Sequence, residues 1–285
     1  MNTIIEQMLN KYTINNPIDE KNAIKEILQE LILSSLSKAG FFNEAVFTGG
    51  TALRVFYKLR RFSEDLDFSL IRTNNLFDIK KYLLVAKEYM KEYGVNVEIS
   101  IKNDYTDKLV KSAFLKTNTI EQLLLFNTSF DIKGINKNEQ IKIKIEVDTN
   151  PPKYGNFEIK YGTSPDIYII KIYDLPTLFS GKIHSILCRF WNNRVKGRDL
   201  YDYLFYISQN TNINIPFLED AMKQTGHLNI DDSLNIDKIK LLLKNKFESI
   251  DYSLAKKDIY PFIKNNNEIQ LWSKELFISS LEHII

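Results

Sequence analysis

The chain has 285 residues, of which 44% are hydrophobic and 26% are charged, so the composition excludes a wholly disordered protein. Its 38 Lys and Arg residues nearly balance 36 Asp and Glu residues, which excludes a strongly basic nucleic-acid coat but leaves room for a local basic face. The single cysteine, Cys188, excludes a disulfide framework and a cysteine-based zinc site, and it suits a reducing compartment.

The apolar segments are short. None approaches the ~18 residues that a membrane span needs, and the N-terminal segment has acids and amides where a signal peptide has its apolar core. We therefore expect a soluble cytoplasmic protein without a membrane partner.

The N-terminal part mixes helix and strand patterns. Residues 19–38 are predicted to form an amphipathic helix that follows Pro17 and is capped by Asp19, because its apolar residues recur at three- and four-residue steps. A short strand, Ala45–Phe47, ends in a glycine turn that leads into a helix over 51–59. Further strands are predicted over 65–71, 95–101, 142–148 and 168–172, and a further helix over 77–93.

From Asp174 onward the patterns are helical, and Pro176 is well placed in the first turn of a helix. We therefore predict an α+β fold in two parts. The first, residues 1–173, is a mixed sheet with flanking helices, and the second, residues 174–285, is helical.

The segment TGGTALRVFYKLRRFSEDLDFSL, residues 48–70, has the strongest chemical signal. A glycine turn between a strand and a helix lets backbone N–H groups approach phosphate oxygens. Asp65 and Asp67 stand two apart on a predicted strand, so both carboxylates face the same way. Paired carboxylates are suitable ligands for Mg²⁺, which often shares its shell with substrate phosphates. The combination predicts metal-dependent phosphoryl or nucleotidyl transfer.

Each part of this pattern also has an ordinary structural explanation. A lone glycine turn is usually only a turn, and a lone Asp-x-Asp is usually a solvated strand face. The order strand, turn, helix, strand argues against coincidence. Leu66 and Phe68 indicate a buried strand, on which acids need a partner such as a metal.

Two signatures resemble a known family. GGTAL followed by R-x-S-x-D-x-D-F, from Arg61 to Phe68, resembles motif I of the AbiEii/AbiGii-type nucleotidyltransferases. These are toxins of type IV toxin–antitoxin systems in the DNA polymerase β-like nucleotidyltransferase superfamily. Residues 182–202 resemble the second signature, a helix with an early lysine, a basic loop and R-D-x-x-D, and residues 144–152 resemble a segment between the two. One departure is Gly-Thr in place of the commoner Gly-Ser, with a longer segment before the Asp pair.

The resemblance implies a nucleotidyltransferase domain over 1–173 and a helical domain over 174–285 that completes its active site. It also implies roles for individual residues. The nucleotide contacts would be Gly49, Gly50, Thr51, Arg61 and Ser63. Asp65 and Asp67 would hold Mg²⁺, Lys182 would contact phosphate, and Asp199 would complete the site. The third carboxylate and metal ligand is either Glu146 or Asp148, and we favour Glu146.

A local basic cluster lies beside the second signature. Its members are Arg189, Arg194, Lys196 and Arg198. They either contact the phosphate backbone of a nucleic-acid acceptor or form an ordinary charged helix start, and we weigh the two equally. Asp199 and Asp202 share a helical face, and Arg198 could pair with Asp202 at the i,i+4 spacing. We expect His184 to be a surface or packed histidine rather than a general base.

The function predicted from the resemblance is that of a Mg²⁺-dependent nucleotidyltransferase toxin. It would transfer a nucleotide from an NTP to an acceptor, with the 3′ end of tRNA favoured, and would inhibit growth, in phage defence for example. A cognate antitoxin would be its partner. The alternatives are a catalytically silent module that binds a nucleotide or a partner, a transferase with a protein acceptor, and a small-molecule nucleotidyltransferase of the antibiotic-modifying kind.

Overall fold

A seven-stranded mixed sheet is present in the computed structural model, which describes residues 3–101, 110–118, 139–191 and 195–285. Its strands are β1 (Ala45–Thr48), β2 (Leu66–Leu70), β3 (Glu98–Ile101), β4 (Val110–Asn118), β5 (Gln140–Asp148), β6 (Phe157–Gly162) and β7 (Tyr168–Tyr173). They lie in the order β3-β4-β5-β2-β1-β7-β6. β2 is antiparallel to β1 and parallel to β5, so residues of β2 have a strand on each side. The α+β prediction is confirmed.

Helices make up most of the remaining described structure. They are α1 (Thr3–Leu9), α2 (Pro17–Lys38), α3 (Gly49–Phe56), α4 (Lys80–Glu92), α5 (Leu175–Cys188), α6 (Gly197–Ser208), α7 (Ile215–Gln224), α8 (Ile236–Glu248), α9 (Tyr252–Ile259) and α10 (Lys274–Ser279). Within the described ranges, none of these helices is long and apolar enough to cross a membrane.

The start of α2 differs from the sequence-based expectation. The capping residue is Asn16 rather than Asp19, because the Asn16 side chain accepts hydrogen bonds from the backbone N–H groups of Ile18 and Asp19, each at 2.9 Å. Pro17 then occupies the first helical turn, where its missing N–H costs no hydrogen bond. The helix therefore begins two residues earlier than predicted.

The chain divides into two compact units. The first comprises Met1–Ala52, Ser63–Pro151 and Ile159–Ile172. The second comprises Leu53–Phe62, Pro152–Glu158 and Tyr173–Ile285. The second unit thus takes in two short segments from the N-terminal part of the sequence. The functional assignment of residues 1–173 and 174–285 as two domains stays a prediction.

An aromatic cluster fixes β1 against β2 in the first unit. Phe47 and Phe68 are register partners on the two strands, with ring centroids 5.1 Å apart. Phe41, which precedes β1, packs edge-on against Phe68 at 4.9 Å. All three side chains are buried. Because such contacts hold both strands firmly, the residues where β1 ends and β2 begins have a fixed position.

A second aromatic core holds α5 and α6 together in the second unit. Phe179 of α5 stacks on Tyr206 of α6 with ring centroids 4.8 Å apart. Asp174 caps α5 by accepting a hydrogen bond from the backbone N–H of Thr177 at 3.0 Å, and Pro176 lies in the first turn as predicted. These contacts position the two helices that carry Lys182 and Asp199.

Candidate active site

The glycine turn at the end of β1 lies directly against an aspartate of β2. Gly49 has φ +77°, a left-handed conformation that favours glycine, and it begins α3. A Cβ atom at Gly49 would be 2.3 Å from Oδ2 of Asp67, closer than any real contact. Two features of this position therefore require glycine: the left-handed backbone conformation and the close approach of the carboxylate.

Thr51 ties the same turn to the start of β2. Its hydroxyl donates a hydrogen bond to the backbone carbonyl of Asp65, and the residue is fully buried. The nucleotide contact of Thr51 stays a prediction, and the role seen for its hydroxyl is to hold the turn against β2. The groups suited to phosphate at this turn are backbone N–H groups of Gly50 and its neighbours, since the first N–H groups of a helix lack intrahelical acceptors.

The register of the sheet sets the predicted metal ligands in a row. Asp67 lies opposite Thr48 of β1 on one side and opposite Glu146 of β5 on the other. Asp65 comes one residue before β2, two positions from Asp67, so the two share a face of the sheet. Asp65, Asp67 and Glu146 are all partly buried. The structure therefore places Asp67 level with Glu146 on adjacent strands, with Asp65 directly before β2.

The same register separates Glu146 from Asp148. Asp148 lies level with Ser69, two positions further from the glycine turn. Its carboxylate accepts a hydrogen bond from the backbone N–H of Asn150 at 2.9 Å, and burial raises its pKa. Asp148 thus shapes the turn that follows β5, whereas Glu146 stands beside Asp67.

The carboxylates fit a Mg²⁺ ion by their chemistry, since this cation prefers hard oxygen ligands and usually retains water and substrate phosphates in its shell. Glu146 is engaged elsewhere: it forms a 2.7 Å ion pair with Lys144 and accepts a hydrogen bond from Ser112 at 3.2 Å. Within the described ranges, no three His, Cys, Asp or Glu side chains converge into a ready metal-binding cluster. An Asp65–Asp67 pair completed by phosphate oxygens is the arrangement that these positions support.

The second unit contains a buried network of ion pairs. Asp202 is fully buried and accepts two hydrogen bonds from Arg61, at 2.6 Å from Nε and 2.7 Å from Nη2. Lys182 lies 2.9 Å from the Asp202 carboxylate and 2.7 Å from that of Asp199. Arg189 contacts the other oxygen of Asp199 at 3.2 Å. Lys182 and Asp199, both predicted site residues, are therefore direct partners.

The charges of this network control its protonation. Burial raises the pKa of Asp202, but the positive charges of Arg61 and Lys182 outweigh that effect, so the pKa lies below its ordinary value. Burial lowers the pKa of Lys182, but Asp199 and Asp202 raise it by more. Lys182 therefore stays cationic, which a phosphate contact requires.

Two predicted nucleotide contacts have other partners in the structure. The Arg61 guanidinium is bound to Asp202 and to the carbonyl of Phe62 at 2.9 Å, and only 3% of the residue is exposed. Ser63 accepts a hydrogen bond from Gln29 through its backbone carbonyl at 3.1 Å. The nucleotide roles of Arg61 and Ser63 stay predictions, and the contact seen for Arg61 is that of a positioning residue.

The predicted basic cluster is not a uniform solvated surface. Arg189 is half-exposed but paired with Asp199. Arg194 lies outside the described residues. Lys196 precedes the first turn of α6, and the Arg198 guanidinium lies over the Phe262 ring, 4.4 Å from its centroid. The partners seen for Asp202 are Arg61 and Lys182 rather than the suggested Arg198.

Asp202 is the functional-site candidate that sequence reasoning left without a role. The sequence offered one signal for such a role: Asp202 comes three residues after Asp199 and therefore lies on the same helical face. Its pairing with Arg61, 141 positions away, depends on tertiary structure alone.

Comparison with known proteins identifies a family. Residues 31–272 match the family model described as the nucleotidyl transferase AbiEii toxin of a type IV toxin–antitoxin system. No curated protein matches the chain significantly by sequence.

Two solved structures share the fold. MenT4, a nucleotidyltransferase toxin from Mycobacterium tuberculosis, is 15% identical with a TM-score of 0.58, over 99% of this chain and 89% of that one. JHP933 from Helicobacter pylori is 20% identical with a TM-score of 0.50, over 92% of this chain and 89% of that one. Since the family model matches most of the chain, including both signature segments, the chain belongs to the AbiEii family of nucleotidyltransferase toxins.

Proposed function

We propose that the chain transfers a nucleotide from an NTP to a nucleic-acid acceptor, with release of pyrophosphate and with Mg²⁺ as cofactor. The observation that carries this proposal is the close approach of the Asp67 carboxylate to Gly49, the first residue of α3. In the same turn, the Thr51 hydroxyl is hydrogen-bonded to the backbone carbonyl of Asp65. A phosphate-binding turn and a metal-binding carboxylate pair are the two parts that nucleotidyl transfer needs.

Each residue has a distinct task in this proposal. The backbone N–H groups at the start of α3 bind phosphate oxygens, and Gly49 keeps that approach open. Asp65 and Asp67 hold Mg²⁺, with Glu146 as the third carboxylate once it turns from Lys144. When bound, Mg²⁺ supplies charge neutralisation at the phosphates and lowers the pKa of the attacking hydroxyl. The acceptor hydroxyl loses its proton to solvent water as its oxygen attacks the α-phosphorus in line. The new oxygen–phosphorus bond forms while the bond between the α-phosphorus and the leaving pyrophosphate breaks.

In the second unit, Lys182 is the proposed phosphate contact. Asp199 and Asp202 hold its ammonium group in place and keep it protonated. Arg61 positions Asp202 through two parallel hydrogen bonds, a geometry that fixes both partners.

The acceptor and the biological role are proposed from the family. We take the 3′ end of tRNA as the first acceptor to test, growth inhibition as the consequence, a cognate antitoxin as the partner and the cytoplasm as the location. Type IV toxin–antitoxin membership supports these proposals through analogy within the family.

The direct test incubates the protein with total RNA, Mg²⁺ and each labelled NTP in turn, and follows label in RNA, protein and small molecules. We expect label in RNA of tRNA size. Asp67→Asn should abolish the transfer, while Asp231→Asn, a matched change at an exposed turn residue, should leave it unchanged. Equal activity of Asp67→Asn and wild type would refute the metal assignment.

The other readouts identify the alternatives. NTP binding without turnover would indicate a silent binding module. Label in a small molecule or in protein, with none in RNA, would indicate the corresponding acceptor and overturn the nucleic-acid proposal.

A further inference from the structure

A basic pocket of about 300 Å³ lies in the second unit, among residues that neither signature includes as site residues. It is lined by Arg54, Arg60, Tyr201, Ile263, Lys264 and Glu268. Three of these side chains are cations and one is a carboxylate, so the lining is positively charged. A concave surface with a positive lining concentrates anions.

The loop that carries Arg60 is held at several points. Nη1 of Arg54 donates hydrogen bonds to the backbone carbonyls of Leu59 at 2.9 Å and Arg60 at 2.8 Å. The backbone N–H of Phe62 donates to the carbonyl of Phe262 at 2.7 Å. Arg60 is exposed. The pocket therefore presents a cation on a backbone that is already ordered.

The Phe62 ring lies near two cations of the pocket lining. The Phe62 ring lies 4.9 Å from the Arg54 guanidinium and 5.6 Å from the Lys264 ammonium. Tyr201 donates its hydroxyl hydrogen to the Glu268 carboxylate, so the one acidic group of the lining already has a donor. Cations stacked on aromatic faces lose little further freedom when they bind an anion.

We propose that this pocket binds a backbone phosphate of the acceptor polynucleotide. The inference rests on the proposed nucleotidyl transfer to a nucleic acid. It names a surface of the chain that binds this acceptor. A positively charged groove that follows the backbone is one of the means by which proteins bind a single strand without sequence preference. A volume of about 300 Å³ is at the lower end for ligand pockets, which suits one phosphate with its sugar.

This proposal moves the acceptor surface away from part of the predicted basic cluster. Arg189 forms an ion pair with Asp199. Arg198 instead lies one helical turn before Tyr201 on α6, and its guanidinium stacks on the Phe262 ring. The acceptor track therefore runs from Arg198 to the pocket of Arg54, Arg60 and Lys264.

The test measures the affinity of the full chain for a fluorescein-labelled single-stranded oligoribonucleotide over a range of KCl concentrations. The test variant is Arg60→Ala/Lys264→Ala, whose side chains are exposed. The matched control, Lys240→Ala/Lys244→Ala on α8, removes the same charge outside the pocket lining. Each lost phosphate contact should flatten the log–log salt slope by roughly 0.7 for a single strand. Because the pocket holds one phosphate, we expect the test variant to flatten the slope by about 0.7 and to weaken binding roughly tenfold at low salt.

Several results would overturn the proposal. These are no oligonucleotide binding by wild type, an affinity and slope of the test variant equal to those of the control, or a loss of ATP affinity in place of oligonucleotide affinity. Label transfer, measured separately, distinguishes the two proposals. Wild type that binds RNA through the pocket but transfers no label refutes the proposed function and leaves the pocket. Wild type that transfers label while the test variant keeps full RNA affinity refutes the pocket alone.

Discussion

Asp202 shows how a single buried charge can organise a region of this protein. Its carboxylate has no exposure to water and is shared between the Arg61 guanidinium and the Lys182 ammonium. Burying these groups costs free energy, which their mutual attraction and hydrogen bonds offset only while all partners are present. Removing one partner therefore leaves an uncompensated buried charge, which lowers the free energy of unfolding.

We predict that Asp202→Asn destabilises the protein by about 3–5 kcal/mol, because Arg61 stays buried without its counter-charge. Urea denaturation of the variant and wild type measures this loss. Asp231→Asn is the matched control, since Asp231 is exposed and substitutions at such positions usually stay within about 0.5 kcal/mol. A loss no larger than that of the control would show that the network contributes little to stability.

At the scale of elements, the junction of β1 and α3 depends on one glycine. Gly49→Ala should cost stability twice, through the left-handed φ of +77° and through the clash of the new Cβ with Asp67. Gly226→Ala is a close control, because Gly226 has φ +72° but nothing lies within 4 Å of the added Cβ. We expect about 1 kcal/mol for the control and a clearly larger loss for Gly49→Ala, measured by urea denaturation.

The activity of these two variants separates the clash from the backbone strain. Gly49→Ala should lose nucleotidyl transfer because Asp67 is displaced, whereas folded Gly226→Ala should keep it. Transfer at the wild-type rate by Gly49→Ala would mean that the position of Asp67 does not matter for the reaction.

The register of β5 yields a prediction about the third carboxylate. Glu146→Gln should lower transfer by roughly tenfold or more, since Glu146 lies level with Asp67. Asp148→Asn should stay near wild type, because Asp148 lies level with Ser69 and holds the turn at Asn150. Initial rates with saturating NTP and RNA compare the two variants. The reverse order of effects would make Asp148 the ligand.

Prediction from sequence succeeded where burial and pattern coincide. β5 alternates Ile143, Ile145 and Val147 inward, so its strand was recognised from 142 to 148. β6 is not predicted from the sequence. Its apolar residues Ile159 and Tyr161 are exposed, so the strand lacks the buried apolar face by which strands are recognised. The pairing of Asp65 with Asp67 came from their spacing, and their role as metal ligands stays a prediction. The pairing of Arg61 with Asp202 could not be predicted, because it is a contact across 141 positions.

At the scale of the whole molecule, two partly buried titratable groups act on stability with opposite signs. In the first unit, burial raises the pKa of Glu30 to about 7, with Lys11 lowering it and Glu26 raising it. In the second unit, burial lowers the pKa of His184 to about 4, assisted by His227. The His184 ring lies 3.0 Å from the Thr225 hydroxyl.

The signs follow from proton binding. Folded Glu30 binds its proton more tightly than the unfolded chain does. Its contribution is therefore fully present below pH 4.5 and is lost as the pH rises through 7. Folded His184 binds its proton less tightly, so its contribution is present above pH 6.5 and is lost as the pH falls through 4. Between pH 4.5 and 6.5 the two effects oppose each other.

We therefore predict that replacing either group exposes the slope of the other. Glu30→Gln should make the free energy of unfolding rise with pH between 4.5 and 6.5, by up to about 1.4 kcal/mol per pH unit, and His184→Gln should make it fall over the same range. Urea denaturation at pH 4.5, 5.5 and 6.5 compares both variants with wild type and with the double variant, which lacks both slopes and should therefore resemble wild type over this range. This expectation holds for cooperative unfolding of the chain; if the units unfold separately, each variant should shift only the transition of its own unit. A pH dependence in either single variant that matches wild type would show that the replaced group does not titrate between its folded and unfolded pKa values.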